Sequence, residues 1–380
     1  MKEAVIVAAK RTAFGKYGGM VKHLEPEQLL KPLFNHFKDV HPQVMLAIDD
    51  VILGNVTGNG GNITRKSLLE AGLNQQIPGV TIDRQCGSGL DAVIHACRMI
   101  QAGAGTIFIA GGVESISRAP WKIKRPQSIY ETYLPEFYER ASFAPEGQDP
   151  SMIEAAEKVA HVYQVPREAQ DDYAWKSHRK AIEAYENQTI SREILPFNVN
   201  GKVFNKDESI KPKLTQRTLS RLKPMLPNGT ITVGNCCMKN DGAVLLMVME
   251  KETAHDYGFK SGLDFIDSST VGVDPTLLGI GPVPAVSKLL KRQNYAIEDI
   301  DAFELNEAFA SQVIASQHAL NIPEMKLNIY GGAIATGHPY GASGAALVTR
   351  LFYMEQHHRT IATMGIGGGM GNAILFERWS

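Results

Sequence analysis

Residues 80–90 read VTIDRQCGSGL, and this short stretch decides which kind of fold the chain adopts. It begins with a β-branched run that is typical of a strand, and its two glycines mark a tight turn. An apolar helical pattern follows as far as Ile100, and a second apolar run, TIFIAGG, covers residues 106–112. The stretch therefore predicts a strand, a glycine turn, a helix and a strand, as in α/β proteins, with Cys86 inside the turn.

The same unit appears a second time near the end of the chain. Residues 337–344 read GHPYGASG, and Ser343 corresponds there to Ser88 at an offset of 255 residues (343 − 88). Thr360 opens an apolar run that ends in glycines, as Thr106 does, at an offset of 254 residues (360 − 106). Two pairs of matching features separated by nearly the same number of residues indicate an internal repeat.

A further pair of matched segments supports duplication. Residues 47–55 resemble residues 296–306, at a similar distance along the chain. Many α/β proteins reuse a strand–turn–helix pattern without being duplicated, but matched segments at one spacing favour duplication. We therefore predict two similar halves of one α/β unit.

The stretch between the halves has a different character. Residues 119–242 carry prolines, aromatic residues and two amphipathic helical patterns, at residues 153–163 and 166–185. A run of basic residues follows these helices, and it either forms a solvated face or meets phosphate groups. The basic residues are Lys202, Lys206, Lys211, Lys213, Arg217, Arg221 and Lys223.

These patterns predict three domains. The N-terminal half is expected to comprise residues 1–118 and 243–267, the inserted loop domain residues 119–242, and the C-terminal half residues 268–380.

Composition excludes several classes of protein. The chain has 380 residues, of which 44% are hydrophobic and 21% charged, with a net charge of −1. These values fit a large buried core, and they exclude a disordered chain or one built chiefly to bind nucleic acid. No apolar run approaches the ~20 residues of a membrane span. We expect a cytoplasmic protein without a membrane or nucleic-acid partner.

The four cysteines suit neither a disulfide framework nor a metal site. Four thiols are few for a chain of this length, and their spacing forms no Cys/His metal pattern. The adjacent Cys236 and Cys237 are either a redox pair or small buried thiols. We expect no bound metal.

Cys86 is the candidate nucleophile. It lies where a strand passes into a helix, and the exposed N–H groups and the dipole of a helix N-terminus favour a thiolate. The alternative is a buried structural cysteine. His338 occupies the corresponding glycine turn of the second half, where it can face Cys86 and act as the base that a thiol nucleophile needs.

Six motifs in order make the sequence resemble the thiolases, a family of acyl-CoA acyltransferases, over essentially the whole chain. They are residues 85–89 (QCGSG), 111–115 (GGVES), 279–285 (GIGPVPA), 306–310 (NEAFA), 337–339 (GHP) and 367–371 (GGGMG). The resemblance implies an α/β fold of five layers, αβαβα, built from two βαβαβαββ halves with an inserted loop domain that covers coenzyme A. It also implies a homodimer or homotetramer.

The resemblance further implies roles for particular residues. Cys86 takes the acyl group, and His338 removes the thiol proton and then helps bind the thioester oxygen. Asn306 holds a water that completes this oxyanion site, and the backbone N–H groups of Cys86 and Gly367 form a second one. The residues implied to contact the acyl group or coenzyme A are Met152, Lys211, Cys237 and Phe309. Acyl-CoA thioesters would be the substrates, and no other cofactor is expected.

The sequence departs from the family pattern at the second catalytic cysteine. In the family this thiol deprotonates the acetyl-CoA methyl group or protonates the leaving carbanion, and here its position is Gly365. Loss of one general acid/base group typically costs ~10²–10⁴-fold in rate. Further departures are Tyr340 for a small aliphatic residue, Cys237 for a pantetheine-binding serine, Met238 for a glycine, Ser151 for a histidine, and Lys211 for an arginine.

The expected function is that of an acyl-CoA C-acyltransferase that forms or cleaves acetoacetyl-CoA or another 3-ketoacyl-CoA through acyl-Cys86. One alternative is a protein that acylates Cys86 and passes the acyl group to water or another acceptor. A second is a protein that only binds or senses acyl-CoA, although a pure binder has no need of a nucleophile.

Overall fold

A computed structural model describes residues 2–126, 128, 130, 134, 136–138, 140 and 142–379. The strands are β1 (Ala4–Arg11), β2 (Gly15–Lys16), β3 (Asp50–Gly54), β4 (Val80–Ile82), β5 (Ile107–Glu114), β6 (Lys122–Ile123), β7 (Phe137–Tyr138), β8 (Phe197–Val199), β9 (Lys202–Phe204), β10 (Asn240–Glu250), β11 (Gly262–Gly272), β12 (Ala302–Leu305), β13 (Arg359–Ile366) and β14 (Met370–Trp379). The helices are α1 (Pro26–Val40), α2 (Pro42–Leu46), α3 (Ile63–Glu70), α4 (Ser88–Gln101), α5 (Met152–Val162), α6 (Arg167–Glu186), α7 (Gln216–Ser220), α8 (Lys251–Asp256), α9 (Pro282–Gln293), α10 (Ala310–Leu320), α11 (Ala333–Thr336) and α12 (Tyr340–Phe352).

The main sheet has ten strands and consists of two arrays joined at their edges. The path runs β12-β13-β14-β11 through the second half and β1-β10-β5-β3-β4 through the first, and β2 pairs with β10. The arrays meet where β1 and β11 pair through only two residue pairs, Val5 with Asp264 and Ile6 with Leu263. Each array mixes parallel and antiparallel pairs, such as parallel β3–β5 and β12–β13.

The predicted duplication is confirmed by corresponding elements. In the first half β3, α4 and β5 occur in this order, with α3 and β4 between β3 and α4. In the second half β12, α12 and β13 occur in the same order, with α10 and α11 between β12 and α12. The parallel register places Gly54 opposite Gly112 in one half and Leu305 opposite Thr363 in the other. The two copies therefore place their glycine turns at equivalent positions.

The five predicted layers are also confirmed. Helices α4 and α12 form the middle layer, where Val93 and Val348 share one apolar cluster with strand residues of both arrays. Helices α1 and α3 cover the outer face of the first array, and α9 and α10 cover that of the second. Burial of these apolar faces against the two arrays is the main driving force that holds the layers together.

Close backbone contact joins the first turns of α4 and α12. A Cβ atom added to Gly89 would lie 2.7 Å from the Gly341 carbonyl oxygen, and one added to Gly344 would lie 2.6 Å from Leu90 Cβ. Real Cβ atoms do not approach other atoms so closely, so the contact requires glycine at both positions. It brings the turn with Cys86 against the turn that follows His338.

The insert is tied to both halves by a buried ion cluster. The Arg11 guanidinium bonds to Glu193 at 2.7 Å and to Asp207 at 2.8 Å. Arg350 of α12 bonds to the same Glu193 at 2.8 Å. Because Glu193 and Asp207 belong to the insert, this cluster fixes the insert above the junction of the two halves.

The helical patterns expected in the insert correspond to α5 and α6, and Pro166 caps the N-terminus of α6. The boundary expected between residues 267 and 268 lies within β11, whose whole length pairs with β14. The exact domain bounds stay predictions.

Replacing Gly344 with alanine tests the helix contact. The added methyl group would push against Leu90, and overpacking of this kind costs about 1–3 kcal/mol. We expect Gly344→Ala to lower the free energy of unfolding in chemical denaturation by that amount. Gly272→Ala is the control, because a Cβ there meets nothing closer than 3.9 Å. Equal stability of the two variants would show that α4 and α12 do not depend on this contact.

Candidate active site

The turn that carries Cys86 is strained and held by its own side chains. Gln85 adopts a φ of +48°, in the left-handed region that a residue with a Cβ atom rarely occupies. Ser88 holds this turn, since its hydroxyl donates to the Gln85 carbonyl at 2.6 Å and accepts from the Arg84 N–H at 2.8 Å. Asp83 accepts a further bond from the Gln85 N–H at 2.7 Å. The turn therefore presents Cys86 in one fixed orientation just before α4.

The resting Cys86 thiol is protonated. Burial raises the pKa of Cys86 to about 12, and Glu114 adds to the increase, whereas backbone hydrogen bonds from Cys86 and Gly367 lower it. The expectation that the helix N-terminus favours a thiolate does not describe the resting site, because desolvation of this half-buried thiol outweighs the backbone hydrogen bonds that lower its pKa. A protonated thiol needs a base before it can attack.

His338 has the properties of that base. Its Nδ1 lies 2.6 Å from Ser343 Oγ, and the Ser343 hydroxyl donates to the Pro339 carbonyl at 3.0 Å. Because that hydroxyl proton is already donated, Nδ1 carries the imidazole proton and Nε2 has a free lone pair. Within the described residues Nε2 has no hydrogen-bond partner. Burial lowers the pKa of His338 to about 4, so the ring is neutral at physiological pH.

The turn around His338 is anchored by the strand segment that leads into β10. The His338 N–H donates to the Met238 carbonyl at 3.1 Å and to the Asn240 side-chain oxygen at 3.3 Å. Gly337 has a φ of +103°, and a Cβ atom there would clash with Asn240. The ring of Tyr340 packs edge-on against the imidazole at 5.1 Å between ring centroids. These contacts fix the imidazole ring in the core.

Asn306 and Gly367 follow the two parallel strands β12 and β13. The Asn306 N–H donates to the Thr363 carbonyl at 3.1 Å, which extends the strand pairing to the site. The Asn306 side chain is buried, and its Nδ2 has no partner among the described residues. A backbone hydrogen bond from Gly367 to the Cys86 thiol lowers the pKa of Cys86. Both positions offer N–H donors for a developing negative charge.

Sequence reasoning missed the part played by Glu114, although it lies within the motif of residues 111–115. This buried carboxylate accepts hydrogen bonds from Asn55 Nδ2, the Val56 and Thr57 N–H groups, the Thr57 hydroxyl and the Gly341 N–H, at 2.6 to 3.1 Å. It thereby joins the end of β5, the loop after β3 and the start of α12. These hydrogen bonds hold the three segments together, so Glu114 fixes the turns beside Cys86 and His338.

Glu307 performs a similar task for the turn that carries Asn306. Its carboxylate accepts hydrogen bonds from Tyr173 at 2.8 Å and Ser177 at 2.7 Å, both on α6 of the insert. It also accepts from Asn328 Nδ2 at 2.9 Å and the Ile334 N–H at 3.1 Å. No local pattern in the sequence indicates this role, because the partners lie far away along the chain.

Three of the residues expected to bind coenzyme A lie close together beside this site. The Cys237 N–H donates to the Ala308 carbonyl at 3.0 Å, and Cys236 pairs with the backbone of Phe309. Lys211 is exposed, with its Nζ atom 3.8 Å from the Met238 sulfur. The fourth residue, Met152, is half-buried in the first turn of α5, which packs against α10. Their contact with coenzyme A stays a prediction.

Gly365 lies in the paired region of β13 and β14, opposite Gly371. A Cβ atom added to it would lie 3.1 Å from the Leu278 carbonyl oxygen and 3.3 Å from that of Gly279. A side chain fits there only if these neighbours move by a few tenths of an ångström. The position itself supplies no group that can exchange a proton.

Two family models together match nearly the whole chain. The thiolase N-terminal domain matches residues 4–252 and the thiolase C-terminal domain matches residues 262–378. The chain belongs to the thiolase family. The ion cluster, the glycine contact and the site described above are therefore features of a thiolase.

Relatives and solved structures agree with this assignment. The chain is 70% identical over 379 residues to the "Putative acetyl-CoA C-acetyltransferase VraB" of Staphylococcus epidermidis, covering 100% of this chain and 99% of the relative. It is 65% identical to the protein of the same name from Staphylococcus aureus, with full coverage of both. The crystal structure of the Bacillus anthracis acetyl-CoA acetyltransferase superimposes with a TM-score of 0.94 at 33% identity, covering 100% and 99% of the two chains. Human mitochondrial 3-ketoacyl-CoA thiolase in complex with CoA superimposes with a TM-score of 0.93 at 30% identity, covering 100% and 98%.

The described residues include no helix that could cross a membrane and no candidate metal-binding cluster. None of their helices is both long and apolar enough to cross a membrane. In the same part of the chain, no group of three or more His, Cys, Asp or Glu residues is arranged to hold a metal ion.

Replacing His338 with alanine tests its role as the base. Because the thiol is protonated at rest, we expect His338→Ala to slow alkylation of Cys86 by iodoacetamide by ~10²–10⁴-fold, the range for loss of a general base. Ser343→Ala should slow it less, because it frees the ring to adopt the other tautomer. His95→Ala, an exposed position on α4, is the control. If all three variants react at the wild-type rate, another group removes the Cys86 proton.

Proposed function

We propose that this thiolase is an acetyl-CoA C-acetyltransferase that forms or cleaves acetoacetyl-CoA, or another 3-ketoacyl-CoA, through acyl-Cys86. The observation that carries the proposal is the neutral His338 ring, with Nδ1 held by Ser343 and Nε2 free, in the turn packed against the Cys86 turn. The names of relatives that match along their whole length support the choice of acetyl-CoA as substrate.

The first half-reaction uses groups that are all present. His338 Nε2 takes the proton of the Cys86 thiol, and the thiolate attacks the thioester carbonyl carbon. The oxyanion accepts hydrogen bonds from the N–H groups of Cys86 and Gly367. When the carbon–sulfur bond to coenzyme A breaks, His338 returns its proton to the leaving thiolate. The product is acetyl-Cys86 and free coenzyme A.

The second half-reaction uses His338 and Asn306 in another role. The thioester oxygen of the second acyl-CoA would lie between the imidazole and a water held by the Asn306 amide. The water donates a hydrogen bond to the enolate that forms when the methyl group loses a proton, and the imidazole donates a second one in the state in which Nε2 has taken up a proton. The free Nδ2 of Asn306 supports this assignment.

Coenzyme A is proposed to bind at the edge of the insert. Phe309 and Met152 would line the pantetheine and acyl positions, and Cys237 would stand in for the serine that contacts the pantetheine. Lys211 would bind a phosphate group through its positive charge, but it cannot form the bidentate hydrogen bonds of an arginine. No cofactor besides these thioesters is proposed.

The proton transfer at carbon is the step for which Gly365 supplies no group. Cys237 is the candidate substitute, because its thiol interacts electrostatically with Cys86 and Glu307 and so lies near the reacting centre. Burial raises the pKa of Cys237, so this thiol is protonated at rest and could act first as the acid in thiolysis.

The assembly and location are also proposals. We propose a homodimer or homotetramer in the cytoplasm, as the family resemblance implies. Light scattering should then give a mass of at least twice the 41.6 kDa of one chain, and a monomer mass at micromolar concentration would contradict this part.

The test compares wild type with Gly365→Cys in thiolysis of acetoacetyl-CoA by coenzyme A. We expect turnover by the wild type and a gain of about tenfold or more in the variant, equivalent to ~1.4 kcal/mol of barrier. Gly272→Ala, outside the site, serves as the control. If the variant gains nothing, Cys237 already supplies the proton that the second half-reaction needs. Cys237→Ser should then abolish turnover. If neither protein turns over while Cys86 still acylates, the natural acceptor is not a second acyl-CoA.

A further inference from the structure

A small cavity lies beneath Asn306, between β12, α11 and α12. Its volume is about 30 Å³, and Glu304, Asn306, Thr336, Ser343 and Arg350 are among the residues that line it. A space of this size holds one water molecule when two to four polar groups face it. The cavity is separate from the proposed binding site of coenzyme A, but it shares Asn306 with the oxyanion site.

The polar groups around this cavity include unpartnered atoms. Glu304 Oε1 and Asn306 Nδ2 are buried, and neither has a hydrogen-bond partner in the part of the chain that the structure describes. A buried polar atom without a partner destabilises the folded state, and a bridging water removes this cost. Ser343, which holds His338 Nδ1, faces the same cavity.

The charges around the cavity already balance without Glu304. Two guanidinium groups, those of Arg11 and Arg350, bond to two carboxylates, those of Glu193 and Asp207, and all four are almost fully buried. An ionised Glu304 would add an uncompensated negative charge at a residue that is 2% exposed. A buried carboxyl group in that position is more stable when it keeps its proton.

We propose that Glu304 is a positioning residue that stays protonated at neutral pH and, through a water in this cavity, holds the Asn306 amide and the Ser343 hydroxyl in their working orientations. The protonated carboxyl donates to the water, the water accepts a second hydrogen bond from Asn306 Nδ2, and it donates to the Ser343 oxygen. The Ser343 hydroxyl then keeps donating to the Pro339 carbonyl. His338 Nδ1 therefore keeps its proton, and the free lone pair stays on Nε2. The proposal rests on the proposed function, since it assigns Glu304 to the same site.

Ionisation of Glu304 should switch this arrangement off. Burial raises the pKa of Glu304 to about 8; Arg350 and Lys180 oppose the increase, and Glu193 and Glu307 add to it. Arg11 also faces the cavity. Above that pKa the carboxylate accepts a hydrogen bond from the water, which turns the water away from the orientation that serves Asn306 Nδ2 and the Ser343 oxygen. Its negative charge also opposes an oxyanion nearby, so acylation should slow as pH rises through about 8.

The test compares Glu304→Gln with wild type and with Glu252→Gln, an exposed position on α8. Glutamine has the same shape and donates a hydrogen bond, but it does not ionise. We measure the acylation rate of Cys86 by acetyl-CoA at about pH 7 and about pH 9, where roughly a tenth of a group with a pKa of 8 keeps its proton. Between about pH 7 and about pH 9, the acylation rate of Glu304→Gln divided by that of wild type should rise about tenfold. The same ratio for Glu252→Gln should not change.

Two further readouts separate positioning from mere packing. Wild type should show the infrared carbonyl stretch of a protonated carboxyl group at neutral pH, fading towards about pH 9 and absent in Glu304→Gln. The unfolding free energy of Glu304→Gln relative to wild type should also rise between pH 4.5 and about 8, because the folded pKa is above the usual 4.5.

Each outcome decides a separate part of the account. Parallel pH profiles for Glu304→Gln and wild type, or no infrared difference between them, would overturn the inference and leave the proposed function standing. A wild type that never acylates Cys86 would overturn the proposed function and with it the positioning role, while the infrared band would still decide whether Glu304 is protonated.

Discussion

The rest of the structure depends on the contact between the first turns of α4 and α12, where the backbones touch because Gly89 and Gly344 have no Cβ atom. Each helix belongs to one copy of the duplicated half, and each starts from the turn that bears a reacting group. Any larger residue at the contact would separate the helices and, with them, Cys86 from His338. The same contact thus forms the middle layer of the fold and assembles the active site.

Burial then sets the protonation of both groups. It raises the pKa of the Cys86 thiol and lowers that of the His338 imidazole, so both are neutral before the substrate binds. Charge therefore appears only when the proton moves from the thiol to the imidazole and the thiolate attacks. At that stage the oxyanion donors can stabilise the negative charge. Glu114 and Glu307 keep these turns in place through hydrogen bonds to distant segments. The site is therefore held by buried carboxylates that do not themselves react.

The sequence predicted those parts that local patterns encode. Glycine turns at matched spacing revealed the duplication, and the same turns identified Cys86 and His338, because a tight turn before a helix leaves a recognisable local signature. The helix N-terminus at Cys86 is visible in the sequence, whereas the surroundings that desolvate this half-buried thiol and raise the pKa of Cys86 are not. The cluster of Arg11, Glu193 and Arg350 and the edge pairing of β1 with β11 also escaped prediction. These contacts join residues far apart along the chain, which no local pattern records.

The central claim is that Cys86 carries the acyl group, and intact-mass analysis of rapidly quenched protein after mixing with acetyl-CoA tests it most directly. The account predicts one acetyl group per chain, located on Cys86 by peptide mapping and absent from Cys86→Ala. It also predicts that addition of coenzyme A removes the group, since the half-reaction is reversible. A protein that stays unmodified, or that carries the acetyl group on Cys237 instead, would contradict the account.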